Sequence, residues 1–315
     1  MNTAPVPLYL DCDTGVDDAL ALAYLFNAPA AELVGVGTVF GNVTSAQGAA
    51  NTAALLGMAG RSDVPVAVGA HDPIAGTFGG GARHVHGHNG VGGVDLPPGH
   101  RPGAESAAEM LVRLAHEHPH TLHVLTTAPL TNIAEALRIE PDLPALVANL
   151  TVMGGAVWVP GNVTPVAEAN VANDPEAARI VLRAGFRTLL VPLDVTLRHH
   201  FDDTDADLFT HAGPPLHAAL GQMLRHYIGF YESIGFGRRA PLHDPLAAAI
   251  AVGEVAATQV RGTALDVLLE AEDRGRTVAV DDPGVPRVGV VVEADPAAAA
   301  AIRERIMATA PRTAA

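Results

Sequence analysis

Apolar runs and helical spacings alternate along this chain. Val6 to Leu10 forms a short apolar run, and Ala19 to Phe26 then repeats apolar residues at helical intervals. The same exchange recurs, which predicts βαβ units and a largely parallel sheet. Strands are expected at Leu8–Asp11, Leu33–Thr38, Val64–Val68, Leu122–Thr126, Leu150–Met153 and Thr188–Pro192. Helices are expected between them at Val16–Leu25, Ser45–Met58, Ala104–His116, Leu130–Ala136 and Pro175–Ala184. Asn173-Asp174-Pro175-Glu176 is a helix-start signal, with proline at the first helical position. Further on, Leu216–Phe236 reads as helical, as does the segment after Asp244; Val288–Val292 reads as a buried strand and Pro296–Met307 as a closing helix. The tail after Met307 is expected to fray. Two long irregular stretches, Pro73–Arg101 and Ala156–Asn173, break the rhythm, and loops of that length inside a compact fold are commonly functional. The expectation is an α/β fold, one large domain over residues 1–315 with a mostly parallel central sheet flanked by helices, a Rossmann-like core.

Composition narrows the function. With 315 residues and 49% hydrophobic content the chain can build a substantial core. No apolar run approaches the roughly 18 residues a membrane span needs, and the N-terminus lacks a basic signal-like segment. A single cysteine excludes an internal disulfide framework and suits a reducing, cytoplasmic setting. The net charge of −15 argues against a nucleic-acid partner. All 19 basic residues are arginine, so chemistry that demands a lysine is excluded.

Candidate chemistry concentrates at the first strand-to-helix junction. Asp11, Asp13, Asp17 and Asp18 place four carboxylates within eight residues. Ligands of α/β proteins bind beyond the carboxyl ends of strands, which is where this cluster falls. Asp17 and Asp18 could merely decorate a first helical turn, capped by Asp13 or Thr14. Two further aspartates flanking Cys12 favour a site, and a hard divalent cation would offset their repulsion. An EF-hand loop does not fit, because Val16 stands where glycine is needed and Leu22 where glutamate is needed.

Four separated segments resemble the nucleoside hydrolases of the inosine–uridine-preferring type. They are Asp11-Cys12-Asp13-Thr14-Gly15-Val16-Asp17-Asp18-Ala19; Thr127-Ala128-Pro129-Leu130-Thr131-Asn132; Met153-Gly154-Gly155 with Gly161-Asn162 and Ala167-Glu168-Ala169-Asn170; and His243-Asp244-Pro245. The resemblance implies the nucleoside hydrolase fold and a Ca²⁺ ion held by Asp13, Asp18, Asp244 and the Thr127 carbonyl. It implies hydrolysis of the N-glycosidic bond of a ribonucleoside through an oxocarbenium-like ribosyl centre. Asp13 would activate a metal-bound water and His243 would assist the departing base. Asp17 would bond the ribose 2′-hydroxyl; Asn42, Asn162, Glu168 and Asn170 would hold sugar hydroxyls; Met153 would line the pocket. His86 would contact the base from a lid loop, with His84 and His88 left to solvent. A homodimer or homotetramer is implied as well.

Several residues keep a plainer reading. Asn42 and Asn162 each follow a glycine and could be turn residues. Glu168 and Asn170 share a face only if their segment is extended. Asp244 could cap the helix that follows it. His84-Val85-His86-Gly87-His88 superficially suggests zinc, but fits no zinc spacing. His116, His118, His120 and His123 are expected around a helix-to-strand turn, without chemistry. Trp158, Tyr227, Phe230, Tyr231 and Phe236 could stack on a base, although such spacing is more often core. The chain departs from the family pattern at Thr14, where proline is commoner, at Ala128 for glycine, and at Ala169 for an aromatic residue, which puts the base preference in doubt. Two rivals remain: a phosphatase of the haloacid-dehalogenase type, which also begins Asp-x-Asp, and a metal-dependent nucleoside-binding protein without turnover.

Overall fold

The computed structural model describes residues 5–308, so the tail beyond that, expected to fray, lies outside the described residues. Eleven strands are present among the described residues: β1 (Val6–Cys12), β2 (Ala31–Thr38), β3 (Val66–Val68), β4 (His123–Thr126), β5 (Asn149–Met153), β6 (Thr188–Val191), β7 (His200–Asp202), β8 (Arg239–Pro241), β9 (Gln259–Val267), β10 (Thr277–Ala279) and β11 (Arg287–Glu293). Nine form one sheet in the order β10-β9-β11-β6-β5-β4-β1-β2-β3, and β7 pairs with β8 apart from it. From β3 to β11 every neighbouring pair is parallel; β9 and β10 extend the sheet antiparallel. The mostly parallel α/β expectation therefore holds. Its antiparallel flank was not foreseen, because Arg261, Gly262 and Thr263 interrupt β9 on its exposed half and leave no continuous apolar run.

Strand alternation sorts the core into two layers. Leu8, Leu10 and Cys12 of β1 face one layer, packed with the helices Val16–Phe26, Ser45–Met58, Pro215–Ser233, His243–Ala251 and Ala298–Met307. Tyr9 faces the other, with the helices Ala107–Glu117, Thr131–Ile139 and Pro175–Arg183. The helix Ala107–Glu117 starts three residues later than its apolar pattern suggests. Ser106 caps it, its Oγ accepting from Glu109 N at 3.2 Å while Glu109 Oε2 accepts from Ser106 N at 2.8 Å.

The strand order also fixes where a ligand can enter. From β1 the chain steps to β2 and β3 on one side, then crosses to β4, β5 and β6 on the other. Connections leave β1 and β4 in opposite directions, opening a crevice beyond their carboxyl ends. The helix Val16–Phe26 starts in that crevice and is buried along its whole length, so Asp17 and Asp18 cannot be ordinary solvated first-turn acids. The cluster is not a set of four, however. Asp11 points to the opposite layer, where Tyr9 Oη and Asn132 Nδ2 donate to its Oδ1 at 3.0 and 2.9 Å.

Asn132 fastens β1, β2 and the chain after β3 together. Its amide group donates to Asp11 and to the Thr38 carbonyl at 3.1 Å, and its Oδ1 accepts from Ala70 N at 2.9 Å. Asn132→Ala would remove all three bonds and leave Ala70 N without its acceptor, while Asp11 keeps Tyr9 Oη and the Thr38 carbonyl keeps Gly69 N, at a cost of about 3 kcal/mol. A urea titration of both proteins measures this; an unchanged midpoint would show that the bracket is dispensable.

Candidate active site

A cavity of about 430 Å³ occupies the crevice. Asp17 and Asp244 contribute to its lining from the first turns of the helices Val16–Phe26 and His243–Ala251. Thr127 and Met153, at the ends of β4 and β5, line it, as do Asn162, Glu168 and Asn170 from the loop after β5. Asn42 and His86 close another side, and Tyr227, Phe230 and Tyr231 of the helix Pro215–Ser233 join His243 on the next. Every residue expected to touch a sugar or a base thus reaches one cavity. Asp13 and Asp18 are fully buried and do not line it.

Asp17, Asp18 and Asp244 each place a carboxylate oxygen within 4.8 Å of the others. Among the described lining residues there is no arginine to offset them. Burial, then the neighbouring Asp17, pushes the Asp18 carboxyl up to about 7. Burial first, and nearby aspartates after it, also hold Asp13 and Asp244 well above the usual carboxylate range. Asp17 Oδ1 is buried without a hydrogen-bond partner. Oxygen ligands, crowded negative charge and an orphaned carboxylate oxygen are what a hard divalent cation satisfies.

Backbone and side-chain donors fix these acids. Asp18 Oδ2 accepts from Gly15 N at 2.7 Å and Oδ1 accepts from Thr127 Oγ1 at 2.7 Å. Asp13 receives both Asn42 groups, N to Oδ2 at 2.7 Å and Nδ2 to Oδ1 at 2.9 Å. Asn42 is thus no ordinary turn residue: it clamps Asp13 from the loop after β2. Gly41 permits the approach, because a Cβ there would run into the Asp13 carboxylate. The N-cap of the helix is Gly15, neither Asp13 nor Thr14, and a side chain there would strike Asn42 and His86.

The segment around Glu168 and Asn170 is built differently from an extended strip. Glu168 caps a short helix, Ala169–Asn173, inside the stretch expected to be irregular. Its Oε1 accepts from Asn170 N at 2.9 Å, and Oε2 accepts from Gly155 N at 2.9 Å and Val171 N at 3.1 Å. Asn170 Nδ2 donates to the carbonyls of Thr127 and Met153 at 3.1 and 3.2 Å. Asn162 Oδ1 accepts from Ala169 N at 3.0 Å.

His243 is buried between two hydroxyls. Thr196 Oγ1 lies 2.8 Å from Nδ1 and Tyr231 Oη lies 3.0 Å from Nε2. Burial lowers this imidazole from its ordinary range to about 4. Tyr227 Oη donates to Asp17 Oδ2 at 2.9 Å. The two tyrosines are polar members of the site, where spacing alone left stacking open but favoured core. Their hydroxyls, four residues apart on a helix bordering an acidic site, were the available signal. Phe230 lines the cavity too, whereas Phe236 packs on Tyr231 and Trp158 lies under Arg261.

The three histidines of residues 84–88 differ in exposure. His86 is buried, and its Nδ1 accepts from Val16 N at 3.1 Å, which leaves the ring proton of the neutral form on Nε2. His88 is exposed. His84 is exposed yet borders the cavity, edge-on to Phe230 with ring centroids 5.8 Å apart. These three do not form a metal-ligand group. His116, His118 and His120 precede the amino end of β4, and His123 begins it, away from the crevice.

The chain is similar in sequence and fold to known proteins. Residues 8–301 match the family described as inosine-uridine preferring nucleoside hydrolase. Uridine nucleosidase 1 of Arabidopsis thaliana is 35% identical over 240 residues, covering 76% of this chain and 71% of its own. A pyrimidine-specific ribonucleoside hydrolase, RihA, of Salmonella arizonae is 35% identical over 242 residues, covering 76% and 77%. The structure of a purine-preferring ribonucleoside hydrolase from Gardnerella vaginalis superposes with a TM-score of 0.91 at 32% identity, covering 96% of this chain and 98% of that one. On sequence and fold, the chain belongs to the inosine-uridine preferring nucleoside hydrolase family.

Proposed function

We propose that this protein hydrolyses the N-glycosidic bond of ribonucleosides, releasing free base and ribose, and that it does so with a bound Ca²⁺ ion. The observation that carries this reading is the buried cluster of Asp17, Asp18 and Asp244, two of which line the cavity, with no arginine among the described lining residues. Asp18, Asp244, Asp13 and the Thr127 carbonyl would hold the ion, with Asp17 alongside. When bound, it supplies positive charge that orients the sugar and acidifies water.

The chain's own groups do the rest. Glycosidic cleavage leaves positive charge on the ribosyl ring, and the surrounding carboxylates favour that charge where it develops. Asp13 accepts the proton of the attacking water; each of its oxygens retains a lone pair beyond the Asn42 contact. Asp17 bonds the 2′-hydroxyl. Asn42, Asn162, Glu168 and Asn170 border the remaining sugar, beside Met153. On the opposite side Tyr231, backed by His243, offers a hydroxyl to the departing base, and His86 meets the base from the lid.

A haloacid-dehalogenase mechanism has no footing, because Asp11 is turned away from the cavity and bonded to Tyr9 and Asn132. Homologues named for purine and for pyrimidine substrates are both similar to this chain, so base preference is left to assay. A cytoplasmic setting rests on the one free, buried cysteine. Among the described residues no helix is long and apolar enough to cross a membrane. A homodimer or homotetramer rests on family resemblance.

Three outcomes are expected. Base and ribose are released from at least one of inosine, uridine, cytidine and adenosine; EDTA abolishes release and Ca²⁺ restores it. Nucleoside binding without release would favour the binding-protein reading. Asp13→Ala loses at least about 100-fold in kcat with circular dichroism unchanged, and near-normal turnover would refute its role as base. Tyr231→Phe loses about 100-fold on nucleosides but little on p-nitrophenyl riboside, whose leaving group needs no protonation. Equal losses on both substrates would remove Tyr231 from leaving-group assistance.

A further inference from the structure

Asp174 is a fully buried carboxylate that does not border the cavity. Its sequence context announced only a helix start, and one of its oxygens serves that purpose: Oδ1 accepts from Ala177 N at 3.0 Å, capping Pro175–Arg183. The other oxygen does something a cap does not require. Oδ2 accepts from Ile74 N at 2.9 Å and from Thr131 Oγ1 at 2.7 Å.

Each of these partners leads to a different side of the cavity. Ile74 opens the loop that brings Phe78, His84 and His86 to the cavity. Thr131 begins the helix after Thr127, whose carbonyl accepts from Asn170. Asp174 itself ends the helix that follows Glu168 and carries Asn170. The same helix start grips the loop a second time, through Asn132 Oδ1 and Ala70 N. Side chains that would hold sugar and base therefore hang on segments meeting at one buried group.

We infer that Asp174 is a positioning residue, setting the separation between the His86 loop, the Thr127–Thr131 turn and the Glu168–Asn170 segment. This rests on the ribonucleoside reading for its kinetic consequence, though the mechanical coupling does not depend on it. Reacting groups tolerate little displacement, and about 1 Å of misplacement from a remote change can cost on the order of 100-fold.

Asp174→Asn separates the two duties. Asparagine caps a helix as well as aspartate does. Its amide has one acceptor oxygen, however, so keeping the cap turns an NH₂ toward the Ile74 N–H. Thr131→Val removes only the hydroxyl bond and keeps the inference testable should the first variant fail to fold. Below the melting transition of each protein, kcat/KM on the best nucleoside falls on the order of 100-fold in Asp174→Asn, with KM raised, and by less in Thr131→Val. Amide hydrogen exchange quickens over residues 74–86 and stays unchanged over 16–26. A lowered Tm with kcat, KM and exchange over 74–86 all unaltered would reduce Asp174 to a helix cap and overturn the inference. Faster exchange over 74–86 in a protein whose wild type releases no base would uphold the coupling and refute the hydrolase reading instead.

Discussion

Negative charge gathered without an internal counter-charge is the constraint around which this structure is organised. Asp13, Asp17, Asp18 and Asp244 are all buried. Taking a carboxylate out of water is expensive unless hydrogen bonds or opposite charge replace the lost hydration. Here donors replace part of it: Gly15 N and Thr127 Oγ1 for Asp18, Asn42 for Asp13, Tyr227 Oη for Asp17. They leave Asp17 Oδ1 without a hydrogen-bond partner and the Asp17, Asp18 and Asp244 carboxylates crowded within 4.8 Å of one another.

The fold can sustain that arrangement because the acids sit at element ends. Asp17 and Asp18 lie in the first turn of one buried helix and Asp244 in the first turn of another. Helix N-termini favour negative charge, by about 0.3–1 kcal/mol per group at exposed sites. Their rigid backbones hold the spacing that repulsion would otherwise relax. The sheet supplies the rest: the connections after β1 and β4 leave in opposite directions, and the cavity lies beyond the ends of those strands.

Polar brackets outside the cavity extend this order. Asn132, Asp174 and Thr196 touch no predicted substrate position, yet each fixes a group that lines or supports the site. Such residues are hard to read in a sequence. Asn132 and Thr131 stand within a resembling motif, but nothing there discloses that their partners lie 121 and 43 positions away. Tyr227 and Tyr231 were hidden for the opposite reason, since their apolar rings fit a core pattern and only their hydroxyls meet Asp17 and His243.

The sequence by itself determined the parallel sheet, its principal strands and helices, and the residues that would meet in one site. Apolar periodicity is a local property, and the motif from Asp11 to Asp18 is contiguous, so both can be read along the chain. Only the tertiary structure decided which way each side chain faces. It turned Asp11 to the far layer, made Glu168 a helix cap, set Asn42 on Asp13 and lowered the His243 imidazole by burying it. Those outcomes depend on desolvation and on partners brought in from distant strands, and a linear pattern carries neither.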